Sequence, residues 1–291
     1  MILIIGCGFL GSYVLKHITE TSKEPVIATV RDMNNIPDIV GVEYIQCELT
    51  NTSDITKLAD KCKNEPLTVF YFAACHNIDF VYENPEKAKK INIDSLELFI
   101  SSFPNIKRLF FASTDCVYGE GKENNFKFNE MSELNPINEY GNQKKSAEEI
   151  VHANGFTVCR LPFMLGPSLS SKPHFYDNIC SKLLNEEKIE MIDGMKRNVL
   201  SYEQVAMLIF ELSKLEKLPD TINICSDKVM SKYEIGCVLA KKLNVSLNLV
   251  QKITEKDSKK FFNDRRASCI DMDNGLLKKL IGVTAINWEE E

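Results

Sequence analysis

M-I-L-I-I-G-C-G-F-L-G, residues 1–11, decides the fold. Five apolar residues run straight into Gly6, Gly8 and Gly11, and S-Y-V-L-K-H-I then continues with the spacing of an amphipathic helix. Strand, glycine turn and helix in that order form a dinucleotide-binding signature. Gly6 permits the tight turn, Gly8 lets backbone approach a pyrophosphate, and Gly11 lets the helix pack close to its strand. Phe9 and Leu10 open the helix, whose free N–H groups attract phosphate.

Outward from this unit, apolar runs alternate with helical patterns. Strands are predicted at Val26–Val30, Val42–Cys47, Val69–Ala74, Arg108–Ser113 and Phe156–Leu161. A long helix is predicted from Asn84–Pro85 to Phe103, with Asn92 read as a solvated residue on it. This rhythm predicts an α/β chain: a Rossmann doubly wound parallel sheet with a smaller, discontinuous C-terminal substrate-binding domain. Residues 1–165 would form the NAD(P)-binding domain, joined by a returning segment at about 199–225, and 166–291 mainly the lid. Ligand then sits beyond the strands' carboxyl ends, at Gly8, Arg31, Ala74, Thr114 and Pro162. Ala73 and Ala74 are small enough for close cofactor approach. At the second strand's end Arg31 precedes Asp32. An Arg accepts a 2′-phosphate and a carboxylate binds ribose hydroxyls, so the expected cofactor is NADPH, with NADH left open.

Composition narrows the partners. Of 291 residues 44% are hydrophobic and 26% charged, with net charge −6. No basic cluster interleaved with aromatics points to nucleic acid. No apolar run approaches the roughly 20 residues of a membrane span, and with Met1 leading straight into a strand no signal peptide is expected. The ten cysteines include no C-x-x-C pair and mostly sit in apolar runs, as expected for buried thiols in a reducing cytosol. The four histidines show no metal spacing.

The chemistry lies between Ser113 and Lys144. The fifth strand ends S-T-D-C-V-Y-G, placing Thr114 and Asp115 at its mouth, and Y-G-N-Q-K begins a helix. Tyr140 and Lys144, four residues apart, share a helix face. A cation beside a phenol favours phenolate and lowers its pKa from roughly 10. Such a tyrosine trades a proton with a carbonyl or alcohol. Farther on, Arg197 and the pair Arg265–Arg266 are the notable cations of the second half, candidates for an anionic substrate.

With these motifs the sequence resembles the extended short-chain dehydrogenase/reductase superfamily and, within it, the dTDP-4-dehydrorhamnose reductase family. The likeness rests on Ser113–Gly119, on A-A-C-H-N-I-D-F-V-Y-E-N-P-E-K-A-K-K-I-N from Ala73 to Asn92, on Lys232-Tyr233-Glu234, on D-R-R-A-S-C-I-D from Asp264, and on Trp288. It implies a cytoplasmic NAD(P)H-dependent reductase of a nucleotide-diphosphate 4-keto-6-deoxy sugar. Tyr140 would be the proton donor and Lys144 the ribose-holding cation, with Thr114 on the carbonyl oxygen and Asp115 beside it. Asn92 would order the Tyr–Lys site. Glu48-Leu49 replaces the family's Asp-Leu near the cofactor, and Pro162-Phe163 replaces the stretch with its sugar-stacking Trp. A nucleotide-sugar 4-epimerase with retained NAD and a non-catalytic regulatory subunit remain alternatives, and so does a homodimer. A 4,6-dehydratase is disfavoured, since Cys116 stands where a second carboxylate is required.

Overall fold

Ile2–Ile5 (β1) is buried along its whole length, as a central strand of a parallel sheet covered on both faces must be. The computed structural model describes residues 1–121, 126–254, 256 and 261–288. After β1 come α1 (Phe9–Thr21), β2 (Val26–Val30), β3 (Glu43–Gln46), α2 (Thr52–Cys62) and β4 (Leu67–Tyr71). Two short helices follow, α3 (Ile78–Glu83) and α4 (Pro85–Lys89), then a π-helical turn (Lys90–Asp94) and α5 (Ser95–Ser102). β5 (Ile106–Thr114), α6 (Glu139–Ala153) and β6 (Thr157–Leu161) complete the six-strand run. The expected single helix from Asn84 to Phe103 is therefore interrupted at Asn92.

The strands pair in parallel in the order β3-β2-β1-β4-β5-β6, the doubly wound pattern. One face is covered by α1, with Leu10, Val14 and Ile18 in its core. The other is covered by α2, α5 and α6, through Ile55, Leu58, Leu96, Phe99, Ala147 and Val151.

At buried Pro162 the chain leaves this sheet. β7 (Phe163–Leu165), α7 (Phe175–Leu184), β8 (Ile189–Ile192) and β9 (Lys196–Ser201) follow, and then α8 (Tyr202–Ser213) and β10 (Thr221–Asn223) return. β10 adds a seventh parallel strand beside β6, and α8 joins the α1 face through Val205, Ile209 and Leu212. β11 (Val229–Ser231), α9 (Lys232–Lys242), β12 (Val250–Ile253), β13 (Cys269–Ile270) and α10 (Gly275–Ile281) finish the chain. β9 centres a second sheet between β11, antiparallel to it, and β13, parallel to it, and its later residues pair in parallel with β7. A capping box between Ser231 and Glu234 starts α9. The second core gathers Leu183, Met191, Ile235, Leu239 and Trp288. The fold class is as the sequence predicts: a Rossmann-like parallel sheet with a separate, discontinuous C-terminal region.

Candidate active site

The glycine turn forms a cradle. Gly6 has φ +89°, and a Cβ there would lie 2.7 Å from the Cα of Ala73; a Cβ on Gly11 would lie 2.3 Å from the Gly6 carbonyl oxygen. Both positions exclude side chains. Gly8 differs: a Cβ would meet nothing within 4 Å. It faces open space at the start of α1, and no side chain caps that helix. The uncapped N–H groups of Phe9 and Leu10 suit a phosphate there. The turn itself is held by Gly6 N–H donating to Thr29 Oγ1 at 2.9 Å.

Around this cradle, the expected cofactor residues divide. Ala73 packs on Gly6, and half-buried Ala74 follows it toward the loop. Asp32, just past β2, accepts from Asn34 N–H at 3.0 Å and from the side chains of Asn34 and Asn35. The main-chain bond leads in holding its carboxyl below the usual range, against a desolvation that raises it. Arg31 is exposed, and its carbonyl accepts from Gln46 Nε2 at 3.0 Å. Glu48 is also exposed and binds the N–H and hydroxyl of its neighbour Thr50. Leu49 is buried in the core under α2. Pro162 marks the sheet exit rather than presenting a polar group.

Thr114 ends β5. Its hydroxyl accepts from Cys116 N–H at 3.2 Å and donates to Asp115 Oδ1 at 3.1 Å. The other carboxylate oxygen of Asp115 pairs with Arg197 Nε at 3.2 Å. Asn138 caps α6 by accepting from Gly141 N–H at 2.8 Å. A Cβ on Gly141 would come within 2.7 Å of the Cys116 carbonyl, so this helix start lies directly against the Thr114–Cys116 turn. Tyr140 is thereby set among Cys75, Cys116, Ile78, Val81 and Ala88.

Lys144 is only 1% exposed, and its ammonium lies 3.9 Å from the centre of the Phe111 ring. Burial lowers its pKa to about 7, against the pull of Glu148. Burial also pushes the Tyr140 phenol well above its ordinary value, with Cys116, Asp115 and Cys75 adding to the rise. The expected lowering of the phenol pKa is therefore not a property of the protein groups alone: desolvation and the neighbouring Cys116, Asp115 and Cys75 raise it.

Asn92 is buried rather than solvated. Its Oδ1 accepts from Cys75 N–H at 2.7 Å, and its Nδ2 donates to the Cys75 carbonyl and to Gln143 Oε1. The π turn rotates it inward, a recurrent feature at functional sites. It ties the loop after β4 to the helix bearing Tyr140 and Lys144.

The sequence reading missed the group behind these residues. Glu148 is buried, takes bonds from Arg160 Nη2 at 2.7 Å and Nε at 3.1 Å, and accepts from the Ser113 hydroxyl. Arg160 also donates to Tyr118 Oη at 2.9 Å. The available signal was Glu148 at four residues beyond Lys144 on the same helix face.

The three expected substrate arginines separate. Arg197 reaches Asp115, as above. Arg266 pairs with Asp79 of α3 at 3.0 Å and lies 4.7 Å from the Phe262 ring centre. Arg265 is exposed, and its carbonyl accepts from Asn138 Nδ2 at 3.1 Å. No cluster of metal-ligating side chains occurs among the described residues. No helix among them is long and apolar enough to cross a membrane.

The sequence matches the NAD dependent epimerase/dehydratase family over residues 2–225. The chain belongs to that family. A trifunctional UDP-glucose 4,6-dehydratase/UDP-4-keto-6-deoxy-D-glucose 3,5-epimerase/UDP-4-keto-L-rhamnose-reductase of Arabidopsis thaliana is 25% identical over 99% of the chain and 46% of its own length. The chain spans about half the length of the curated relatives it matches. The UDP-glucose 4-epimerase of Thermus thermophilus, complexed with NAD, superposes with TM-score 0.84 at 16% identity, covering 100% of this chain and 96% of that one. The UDP-glucuronic acid 4-epimerase of Bacillus cereus, holding UDP-glucuronic acid and NAD, gives 0.81 at 17%, covering 99% and 95%.

Similar solved structures of the epimerase/dehydratase family include epimerases, a dehydratase and a hypothetical dTDP-4-dehydrorhamnose reductase, with no group standing apart. The resemblance thus holds for the superfamily, without singling out the reductases. The expected NADPH preference is corrected: the similar structures that carry a nicotinamide cofactor carry NAD. In this chain the organised group at the end of β2 is the Asp32 carboxylate, whereas Arg31 extends into solvent.

Proposed function

We propose that this protein is a nucleotide-sugar 4-epimerase that retains NAD. The observation that carries the reading is the start of α6 against the Thr114–Cys116 turn, with Tyr140 beside Cys75 and Cys116, Lys144 over Phe111 of β5, and Arg197 of the second sheet paired with Asp115 of the same turn. The Gly8 cradle, the α1 N-terminus, Asp32 and Lys144 would hold the dinucleotide. When bound, NAD supplies a reversible hydride acceptor. As the phenolate, Tyr140 takes the proton from the sugar 4-hydroxyl and becomes the phenol that returns it, while Thr114 holds the same oxygen. A phenol kept neutral by burial suits the return step. Cys116 argues against dehydration, since burial pushes its thiol up to about 12 and keeps it protonated, so it supplies no second carboxylate or other base for elimination.

A second reading, reduction of a nucleotide-linked 4-keto sugar, is favoured by likeness to the trifunctional Arabidopsis thaliana protein over 99% of the chain. One experiment separates them. Purified protein is denatured and the released dinucleotide quantified; UDP-glucose and UDP-glucuronic acid are then incubated without added cofactor. Stoichiometric NAD and formation of the 4-epimer support epimerisation. Turnover only with added NADH and a 4-keto sugar supports reduction. Neither reaction across a nucleotide-sugar panel, with NAD still bound, would leave a binding subunit.

A further inference from the structure

Three cations meet on the substrate side, and they are not equivalent. Arg197 is held by Asp115, and Arg266 by Asp79. Lys232 has no such anchor. It is the first residue of α9, directly after the β11 strand that pairs with Arg197's strand. Its ammonium lies 5.2 Å from the centres of the Phe175 and Phe262 rings and 5.9 Å from that of Phe163. Arg266 stacks on the same Phe262 ring. Among the described residues the Lys232 ammonium has no hydrogen-bond or ion-pair partner. Ring faces attract a cation, but they leave its three N–H donors without acceptors.

We propose that Lys232 is a diphosphate-binding residue: its ammonium, held among three phenylalanine rings beside Arg266 and Arg197, contacts the phosphates of the nucleotide-sugar substrate. This rests on the nucleotide-sugar reading above. The charge balance points to a multiply charged anion rather than a neutral sugar. Among the described residues three cations face two carboxylates, and the one without a carboxylate is itself half-buried. The charged groups facing Lys232 are Arg266, Arg197 and Asp79; burial and the two arginines lower its pKa to about 8, against Asp79. Because only the protonated amine attracts phosphate, binding weakens as pH rises through that range. The arginines stay charged there and the phosphates are already ionised. The rings give the site its second property. They confine the ammonium to one place, so its position need not be fixed by a competing carboxylate that the substrate would have to displace.

The test is calorimetric binding of UDP and of inorganic pyrophosphate to the NAD-loaded protein at pH 7 and pH 9. Lys232→Met should weaken UDP at least about tenfold at pH 7, the scale of one charge-assisted hydrogen bond. It should also remove the weakening between pH 7 and 9, while Lys232→Arg keeps most of the affinity and loses the pH dependence. Lys61→Met, on α2 beside the edge strand β3, should bind as wild type does. An unchanged melting temperature shows that Lys232→Met is folded, and Lys232→Arg tests the site if it is not. Wild-type affinity in Lys232→Met, with Arg266→Ala impaired, overturns the assignment and leaves the nucleotide-sugar reading standing. Loss of UDP binding with pyrophosphate binding intact also overturns it, since Lys232 would then read the nucleoside. No wild-type binding of any nucleoside diphosphate overturns both.

Discussion

Burial disfavours charge on Tyr140 and on Lys144 alike, raising the phenol and lowering the amine to about 7. Two pH effects of opposite sign follow. The unfolded chain keeps the lysine proton to roughly 10.4, so between about 7 and that value it binds more protons than the native state. Stability from this group therefore rises with pH. Activity should do the reverse: kcat/KM of the free enzyme should fall as pH rises through about 7, as Lys144 loses its charge. Parallel urea titrations and initial rates from pH 6 to 9 check both. A rate profile flat to pH 9 would remove Lys144's charge from the mechanism. Tyr140→Phe should lower kcat by about 10²–10⁴-fold with NAD content unchanged, as loss of one acid–base group requires. The Tyr–Lys pair was legible because α6 is a regular α-helix over both residues, and residues four apart then share a face. Glu148 was not: a carboxylate on a charged helix reads as solvent-facing until Arg160 and Ser113 are found beneath it.

At the scale of elements, the turn Lys90–Asp94 decides how the loop after β4 meets α6. Its residues read as a continuous helix from Asn84, and regular spacing predicts a solvated Asn92. One wider turn rotates that side chain into the protein, where both its ends bond Cys75 and its amide also reaches Gln143. Periodicity cannot report such a turn, because the surrounding helix keeps its own register on either side. Asn92→Ala leaves the Cys75 N–H and carbonyl without partners, so it should destabilise by about 1–3 kcal/mol. Urea unfolding measures this directly, and a change within error would show that solvent replaces both bonds. The short strands of the second sheet were missed for a related reason. β7 and β11 have three residues and β13 two, too few to display alternation, whereas the five-residue, largely apolar strands β2 and β4 stand out.

Across the whole molecule, one buried polar network joins the parts. Glu148 on α6 holds Arg160 on β6 and Ser113 on β5. Arg160 donates to Tyr118 Oη and to the Glu130 carbonyl. Tyr118 donates to Asn223 on β10, and Asn223 bonds the carbonyls of Phe128 and Asp273. The chain from α6 to the C-terminal region thus runs through side chains that are almost fully enclosed; Glu148 and Arg160 are 1% and 3% exposed. Removing one partner of a buried ion pair strands the other charge and costs about 3–5 kcal/mol, while replacing both with apolar residues is often neutral. Here the pair is not isolated. Glu148→Met and Arg160→Met should each destabilise by about that amount. The double variant should recover part of the loss, but the Ser113 hydroxyl and the Glu130 carbonyl would still lack partners, and Tyr118 Oη would keep Asn223 but lose its donor. Its destabilisation should fall below the sum of the two single effects and stay above zero. A double-mutant cycle from urea midpoints measures the coupling. Additive single effects would mean that each residue acts through its other contacts, and that the ion pair does not join the helix to the sheet.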